Sequence, residues 1–346
     1  MKKYIDLDDM ANVNSSNVLN IIQKNGNVSR KQITELSGLS WGGMTKIVNR
    51  LLENGYITET KPKGRAAGAL SVNTSKNFVV GLDINKTGLN AIVMNLAGDI
   101  LKSMSEDVKS NTKEELICEI ISFLEIVFSF FDKGSIISIG VAMQGIVDSK
   151  RGISVHFPDI PDWHNVSLAD IIGNRFGVKV FLEHDPDCLL YTQLSDGNKK
   201  NTILLRIDKS IGMAVAIDGK IIKGKGIFEI AHNTVVPNDK PCSCGKCGCL
   251  EAYISPCMEK GAVNQKAIDE LIYPLSVEIN NLINIFNAER VVLTGKLMEY
   301  KNEITNSIKE HINSKSTQIC SFETLDNAVR GASLIAVNRS INSIII

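Results

Sequence analysis

The sequence predicts an α/β protein in three parts: a winged helix-turn-helix over residues 1–75, then a two-lobed body with its lobes over 76–200 and 201–346. Three observations carry that expectation. Short amphipathic segments punctuated by Gly and Ser open the chain, and a strand-strand-strand-helix-strand-helix order then occurs twice. Four of the eight cysteines fall within residues 242–249. A length of 346 residues suits two or three domains, and 44% hydrophobic with 22% charged content excludes a disordered or collagen-like chain.

The first element runs from about Asn14, with Val18, Leu19, Ile21 and Ile22 at helical spacing, and Gly26-Asn27 breaks it. Ser29 suits the cap of a second helix with apolar positions Ile33 and Leu36, and Gly38 its end. Ser40 then caps a third helix carrying Met44, Ile47, Val48, Leu51 and Leu52 inward. Its other face offers Trp41, Thr45, Lys46, Asn49 and Arg50. YITET, the turn KPKGRAAG and ALSVN complete a two-stranded wing with a basic tip. The chain is neutral overall, yet residues 1–75 hold ten basic and six acidic side chains, a net +4 against −4 for the rest. Local positive charge of this kind meets phosphate. Double-stranded DNA is therefore the expected partner, with Trp41, Thr45, Lys46 and Asn49 in the major groove and Lys61, Lys63 and Arg65 on phosphates or in the minor groove.

From Phe78 the period changes. FVVGLDI, LNAIVMN and ILKSMSED read as strands, followed by a helix from about Lys113 to Phe131 and the strand IISIGVA. NTILLRID, GMAVAID and KIIKG repeat the order, with a helix near 267–288, the strand RVVLTG and closing helices. Two such units make two lobes with a cleft, the usual place for a small ligand. The opening MKKYIDLDDM places aspartates where a secretory signal needs apolar residues, and Glu125 interrupts the most apolar run. A cytoplasmic setting without membrane attachment is the expectation.

Thiols stay reduced in that compartment, so the cysteine cluster points to metal. His232, Cys242, Cys244 and Cys249 supply one imidazole and three thiolates, a closed tetrahedral shell for a structural zinc ion. Gly245 and Gly248 let the loop fold tightly, while Cys247 is a spare or a substitute ligand. The ion would stiffen the loop that presents Glu229 and Glu251 to a polyol.

With Glu229, His232, Cys242, Cys244, Gly245, Gly248, Cys249 and Glu251 at the spacing Glu-x-x-His, then Cys-x-Cys-Gly-x-x-Gly-Cys-x-Glu, the chain resembles the ROK family of repressors, open reading frames and sugar kinases. GVAMQGIVD over 140–148 is similar to the family's Gly-x-x-x-Pro-Gly-x-Val-Asp, with Gln144 in the proline position, and Glu183-His184-Asp185 matches its Glu-Asn-Asp. The resemblance implies an actin-like sugar-kinase body of the ribonuclease H type behind the DNA-binding segment. It also implies that His184, Asp185, Glu229, His232 and Glu251 contact a sugar, Asp185 standing where the kinases keep their general base.

Three departures from the kinases shape the functional expectation. Asp83-Ile84-Asn85-Lys86-Thr87-Gly88 replaces Asp-Ile-Gly-Gly-Thr-Lys, Asp208-Lys209-Ser210-Ile211-Gly212 replaces Gly-Thr-Gly-x-Gly, and Leu293-Thr294-Gly295-Lys296 replaces the Gly-Gly near the adenosine. Side chains stand where backbone amides should approach phosphate. The resemblance therefore implies the regulator branch, that of xylose and N-acetylglucosamine repressors. The expected protein is a sugar-responsive repressor with no catalytic residue and Asp185 as a relict, acting as a homodimer or dimer of dimers. An ATP-dependent sugar kinase with a DNA-binding appendage, and a regulator driven by a protein partner, are the alternatives.

Overall fold

A computed structural model describes residues 7–60, 68–86, 88–158, 160–194, 200–208, 210–223, 228–257, 265–314, 316–322 and 327–343. Helices α1 (Leu7–Asn25), α2 (Arg30–Ser37) and α3 (Trp41–Glu53) precede the antiparallel wing strands β1 (Ile57–Glu59) and β2 (Leu70–Val72). The first helix begins about two turns before the expected Asn14. Ser29 caps α2 in a reciprocal box with Gln32, and Gly38 ends it at φ 69°. Ser40 Oγ accepts the Gly43 amide at the start of α3. Ile33 is the one buried side chain of the short α2, so Leu36, read as apolar and inward, stands exposed at its end. Lys61, Lys63 and Arg65 lie outside the described residues.

The body repeats one arrangement twice. The first sheet orders β10 (Lys179–His184), β6 (Ile136–Met143), β3 (Phe78–Asn85), β4 (Gly88–Met94) and β5 (Ile100–Asp107). The second orders β15 (Gln318–Ser321), β14 (Arg290–Thr294), β11 (Thr202–Ile207), β12 (Ile211–Ile217) and β13 (Lys220–Ile221) in the same pattern. In each, three parallel strands continue into an antiparallel meander. Helix α4 (Lys113–Ser129) covers one sheet with Leu116, Ile120, Phe123 and Leu124, and α8 (Gln265–Phe286) covers the other with Ile268, Leu271, Leu275 and Ile279. Between α4 and β10 come a small three-stranded sheet, β7 (Ile146–Asp148), β8 (Ile153–His156) and β9 (His164–Val166), and α5 (Leu168–Phe176). In the second half α7 (Glu251–Ile254) precedes α8, and α9 (Lys301–His311) precedes β15. The expected repeat thus gains a fifth strand and a closing helix in each copy. Among the described residues no helix is long and apolar enough to cross a membrane.

The two closing helices exchange sheets. Helix α6 (Asp185–Leu194) follows the first sheet but packs on β11 and β12 of the second, whereas α10 (Asn327–Asn342) follows the second and packs on β3 and β6 of the first. They cross face to face. A Cβ on Gly331 of α10 would sit 1.9 Å from Cys188 O of α6, and one on Gly140 of β6 would sit 2.0 Å from Ala332 O of α10, so glycine alone permits helix on helix and helix on sheet at that closeness. Beyond the crossing, α10 reaches the winged helix-turn-helix segment. Val329, Ala336, Val337 and Ile341 share one apolar cluster with Val79, Ile92 and Met94 of the first sheet, Leu96 in the turn after β4, and Val18, Leu19, Ile22, Met44 and Val48. Ser16 Oγ donates to Ile341 O at 2.8 Å and Gln23 Nε2 to Leu96 O at 2.9 Å.

Candidate functional site

On α3 the inward stripe of Met44, Val48 and Leu51 leaves Trp41, Lys46 and Asn49 on the outer face. Trp41 is 56% exposed, an aromatic without a partner in the core. Asn49 Oδ1 accepts from Arg30 Nη2 at 3.4 Å, and Arg30 also pairs with Glu59 of β1, so α2, α3 and the wing are tied across this face. Thr45 sits differently: its hydroxyl is buried and has no hydrogen-bonding partner among the described residues. A helix with such a face has the dimensions for a major groove.

His232 ends a short 3-10 turn (Ile230–His232) that follows Glu229, and the chain then loops through the cysteines to Glu251 at the start of α7. Ligand atoms of His232, Cys242, Cys244 and Cys249 all lie within 4.8 Å of one another. A tetrahedral ion with bonds of about 2.1–2.3 Å spaces its ligands about 3.5–3.8 Å apart. Here Cys242 Sγ is 3.6 Å from His232 Nδ1, and Cys244 Sγ is 3.6 Å from Cys249 Sγ. The cluster therefore fits a metal ion, with Nδ1 as the imidazole donor. The cluster does not include Cys247, which is exposed. Gly248, at φ 76°, lets the loop double back: a Cβ there would lie 1.8 Å from Val236 O. Asn233, next to His232, donates to buried Glu278 of α8 at 2.7 Å, which fastens the loop to the second lobe's core.

The other residues expected at a ligand site lie within electrostatic reach of one another. Glu251 Oε2 accepts from Ser210 Oγ at 2.8 Å. Burial raises the Glu251 carboxyl above its ordinary range, with His232 and Glu229 close enough to act on it electrostatically. Asp185 opens α6, 4% exposed, with its Oδ1 3.5 Å from His184 Nε2. Burial, opposed by the pull of Asp185, holds the His184 imidazole below its ordinary value and so favours the neutral ring. Carboxylates and one neutral imidazole accept hydrogen bonds from hydroxyls.

Sequence reasoning missed the cation at the centre. Arg206 of β11 bonds Asp185 through Nη1 and Asp208 Oδ2 through Nε, the latter at 2.7 Å. Its signal in the sequence is one charge inside the apolar strand TILLRI, since a buried charge requires a partner. Asp83, also facing this cluster, is pushed up to about 6 by burial and by Asp185, and its Oδ1 is buried with no partner among the described residues. Around it the loops at Asn85 and Gly88, at Gln144, and at Asp208 and Lys296 are held by side-chain bonds to backbone amides. Gln144 Oε1 accepts the Lys86 amide at 3.1 Å, Asn85 Oδ1 accepts the Gly88 amide at 3.1 Å, and Asp208 Oδ1 accepts the Lys296 amide at 2.8 Å. Amides that in a glycine loop would be open to an anion are thereby taken by side chains.

Comparison with known proteins agrees with both halves. A winged helix-turn-helix DNA-binding profile matches residues 13–58, and the ROK family profile matches residues 79–338. The xylose repressor of Bacillus spizizenii is 25% identical over 88% of this chain and 87% of its own. A solved ROK family transcriptional regulator, described as a homologue of the Escherichia coli MLC protein, has the same fold over 96% of this chain and 97% of its own, with a TM-score of 0.84 at 21% identity. A ROK hexokinase from Thermus thermophilus matches 76% of this chain and 99% of its own at a TM-score of 0.64 and 19% identity, which is the likeness of a body without the DNA-binding segment. With its winged helix-turn-helix, its paired sheets and its His-Cys loop in the order and at the positions those matches span, the chain belongs to the ROK family.

Proposed function

We propose that the protein is a sugar-responsive repressor of carbohydrate-metabolism genes, working in the cytoplasm, in which the body binds the effector and transfers no phosphate. The observation that carries the second half is Arg206: its guanidinium occupies the carboxylate that would have to take a proton from a sugar hydroxyl. The Asp185 oxygen paired with Arg206 is not open to a sugar hydroxyl. The internal ties of Gln144, Asn85 and Asp208 support the same reading, because phosphoryl transfer depends on positioned phosphate contacts. The repressor half draws on the winged helix-turn-helix and on the likeness to a xylose repressor.

In this reading Asp185, Glu229, Glu251 and His184 accept hydrogen bonds from effector hydroxyls. His232 donates Nδ1 to a structural zinc ion that fixes the loop bearing Glu229 and Glu251, leaving Nε2 for the sugar. Trp41, Lys46 and Asn49 reach base edges, the buried Thr45 hydroxyl does not, and Lys61, Lys63 and Arg65 reach phosphates. Two copies acting together set half-site spacing.

The test is selection of a duplex from a random pool by the full chain, followed by titration at fixed salt with D-xylose, D-glucose and N-acetylglucosamine. Specific binding that one sugar weakens supports the proposal. Specific binding indifferent to all three points instead to control by a protein partner. Absence of any selected duplex, with ATP-dependent phosphorylation of a sugar, overturns it in favour of a kinase.

A further inference from the structure

One buried carboxylate joins three parts of the molecule. Glu183 lies at the end of β10, directly before His184 and Asp185, and is 0% exposed. Its Oε1 accepts from Nη2 of Arg339 in the last turn of α10, and its Oε2 accepts from Nζ of Lys223, just beyond β13. Lys223 Nζ also lies 3.6 Å from Asp187 Oδ2 in the first turn of α6. The Arg339 guanidinium stacks over the Phe181 ring at 5.4 Å, so its orientation is fixed by packing as well as by charge. Two residues further along α10, Ile341 O accepts from Ser16 Oγ of α1, and Asn20 Nδ2 donates to Asn342 Oδ1 at 3.2 Å.

A carboxylate removed from water persists only where cations replace its hydration. For Glu183 that replacement comes from opposite sides: Lys223 follows β13 at the edge of the second sheet, whereas Arg339 belongs to the helix that lies on the first sheet and meets the DNA-binding segment. Any shift of one sheet against the other either carries Lys223 along or breaks its pair. A broken pair leaves Arg339 as the sole cation on a buried carboxylate and changes the pull on the end of α10. Ion pairs of this kind repack between discrete arrangements rather than stretching.

We propose that Glu183 is a positioning residue that couples the effector cleft to the DNA-binding domain through the bridge Lys223–Glu183–Arg339, which sets how α10 meets α1. The proposal rests on the repressor reading above and adds the route by which the cleft is read out. With the bridge intact the DNA-binding domain is held at one angle, and a reader with strict half-site spacing depends on that preorganisation.

The experiment measures affinity of the full chain for the selected duplex in wild type, Lys223→Met, Lys223→Arg, Glu183→Gln and the double variant Glu183→Gln/Lys223→Met. Lys223 is partly exposed and touches no residue of the DNA-binding domain in the described contacts, so a purely local role predicts no change in DNA affinity. The bridge predicts that Lys223→Met weakens binding about two- to thirty-fold, the range of coupling through such networks. Lys223→Arg restores binding to within about twofold, and the double variant binds no worse than Glu183→Gln alone. Amide exchange along α1 is followed in parallel and rises in Lys223→Met only where Glu183 is present. Wild-type affinity in Lys223→Met, or losses that multiply in the double variant, overturns the proposal. Failure of the wild type to select a duplex is a separate result that strikes the repressor reading.

Discussion

Ile341, five residues from the end of the chain, is fully buried in the apolar cluster that also contains Val18, Leu19 and Ile22 of α1. Ile341→Ala removes three buried carbons at about 0.8 kcal/mol each, about 2.4 kcal/mol before any cavity. With a cavity the range extends to about 4 kcal/mol. Because the cluster spans the DNA-binding segment and the body, that loss falls on both. Hydrogen exchange of the α1–α3 amides therefore accelerates, by roughly sixty- to nine-hundred-fold where exchange follows opening of the shared core. The backbone acceptor at Ile341 O is unchanged by the substitution, so the Ser16 bond is not the cause. Exchange that quickens in α10 alone, with α1–α3 as in wild type, would refute the reasoning and make the DNA-binding segment an independent folding unit.

Three further outcomes follow from the cleft and the loop. The purified chain carries one zinc per copy by elemental analysis, and Cys244→Ser loses it together with any thermal protection by the effector, whereas Cys247→Ser keeps both. Arg206→Met leaves Asp185 and Asp208 without their cation and lowers stability by about 3–5 kcal/mol in denaturant titration; an unchanged midpoint would show that the cluster is not buried in solution. Asp83, pushed up to about 6 by burial, holds a proton in the folded chain that the unfolded chain has already released, so stability falls as pH rises from about 4 to 6 and is level above. The full shift corresponds to about 3 kcal/mol. Asp83→Asn abolishes that fall and is more stable than wild type at pH 8, and a variant with the same pH profile as wild type would refute the assignment.

The helix-turn-helix and the metal loop were legible because their determinants are local. Ser29 and Gln32 close a capping box three residues apart, Gly38 supplies a left-handed residue, and the four metal-site residues lie within one stretch of chain from His232 to Cys249. Strand order in the two lobes was legible as far as period and turns carry it. The closing element of each copy was not: β15 is four residues long, and β10 runs without a break into α6, so neither stands out by pattern.

By itself the sequence determined most of the helices, strands and caps, that a winged helix-turn-helix precedes an α/β body, and that a His-Cys set sits between Glu229 and Glu251. Each depends on residues close together in the chain, where spacing alone sets geometry. Tertiary structure decided the rest. Arg206 meets Asp185 across 21 residues, Arg339 meets Glu183 across 156, and α10 leaves its own sheet to bury Ile341 against α1. A charge in an apolar strand announces that it needs a partner, but which carboxylate answers depends on how two sheets stack. Burial makes that choice, because only inside the folded core does an unpaired charge cost enough to select a single partner.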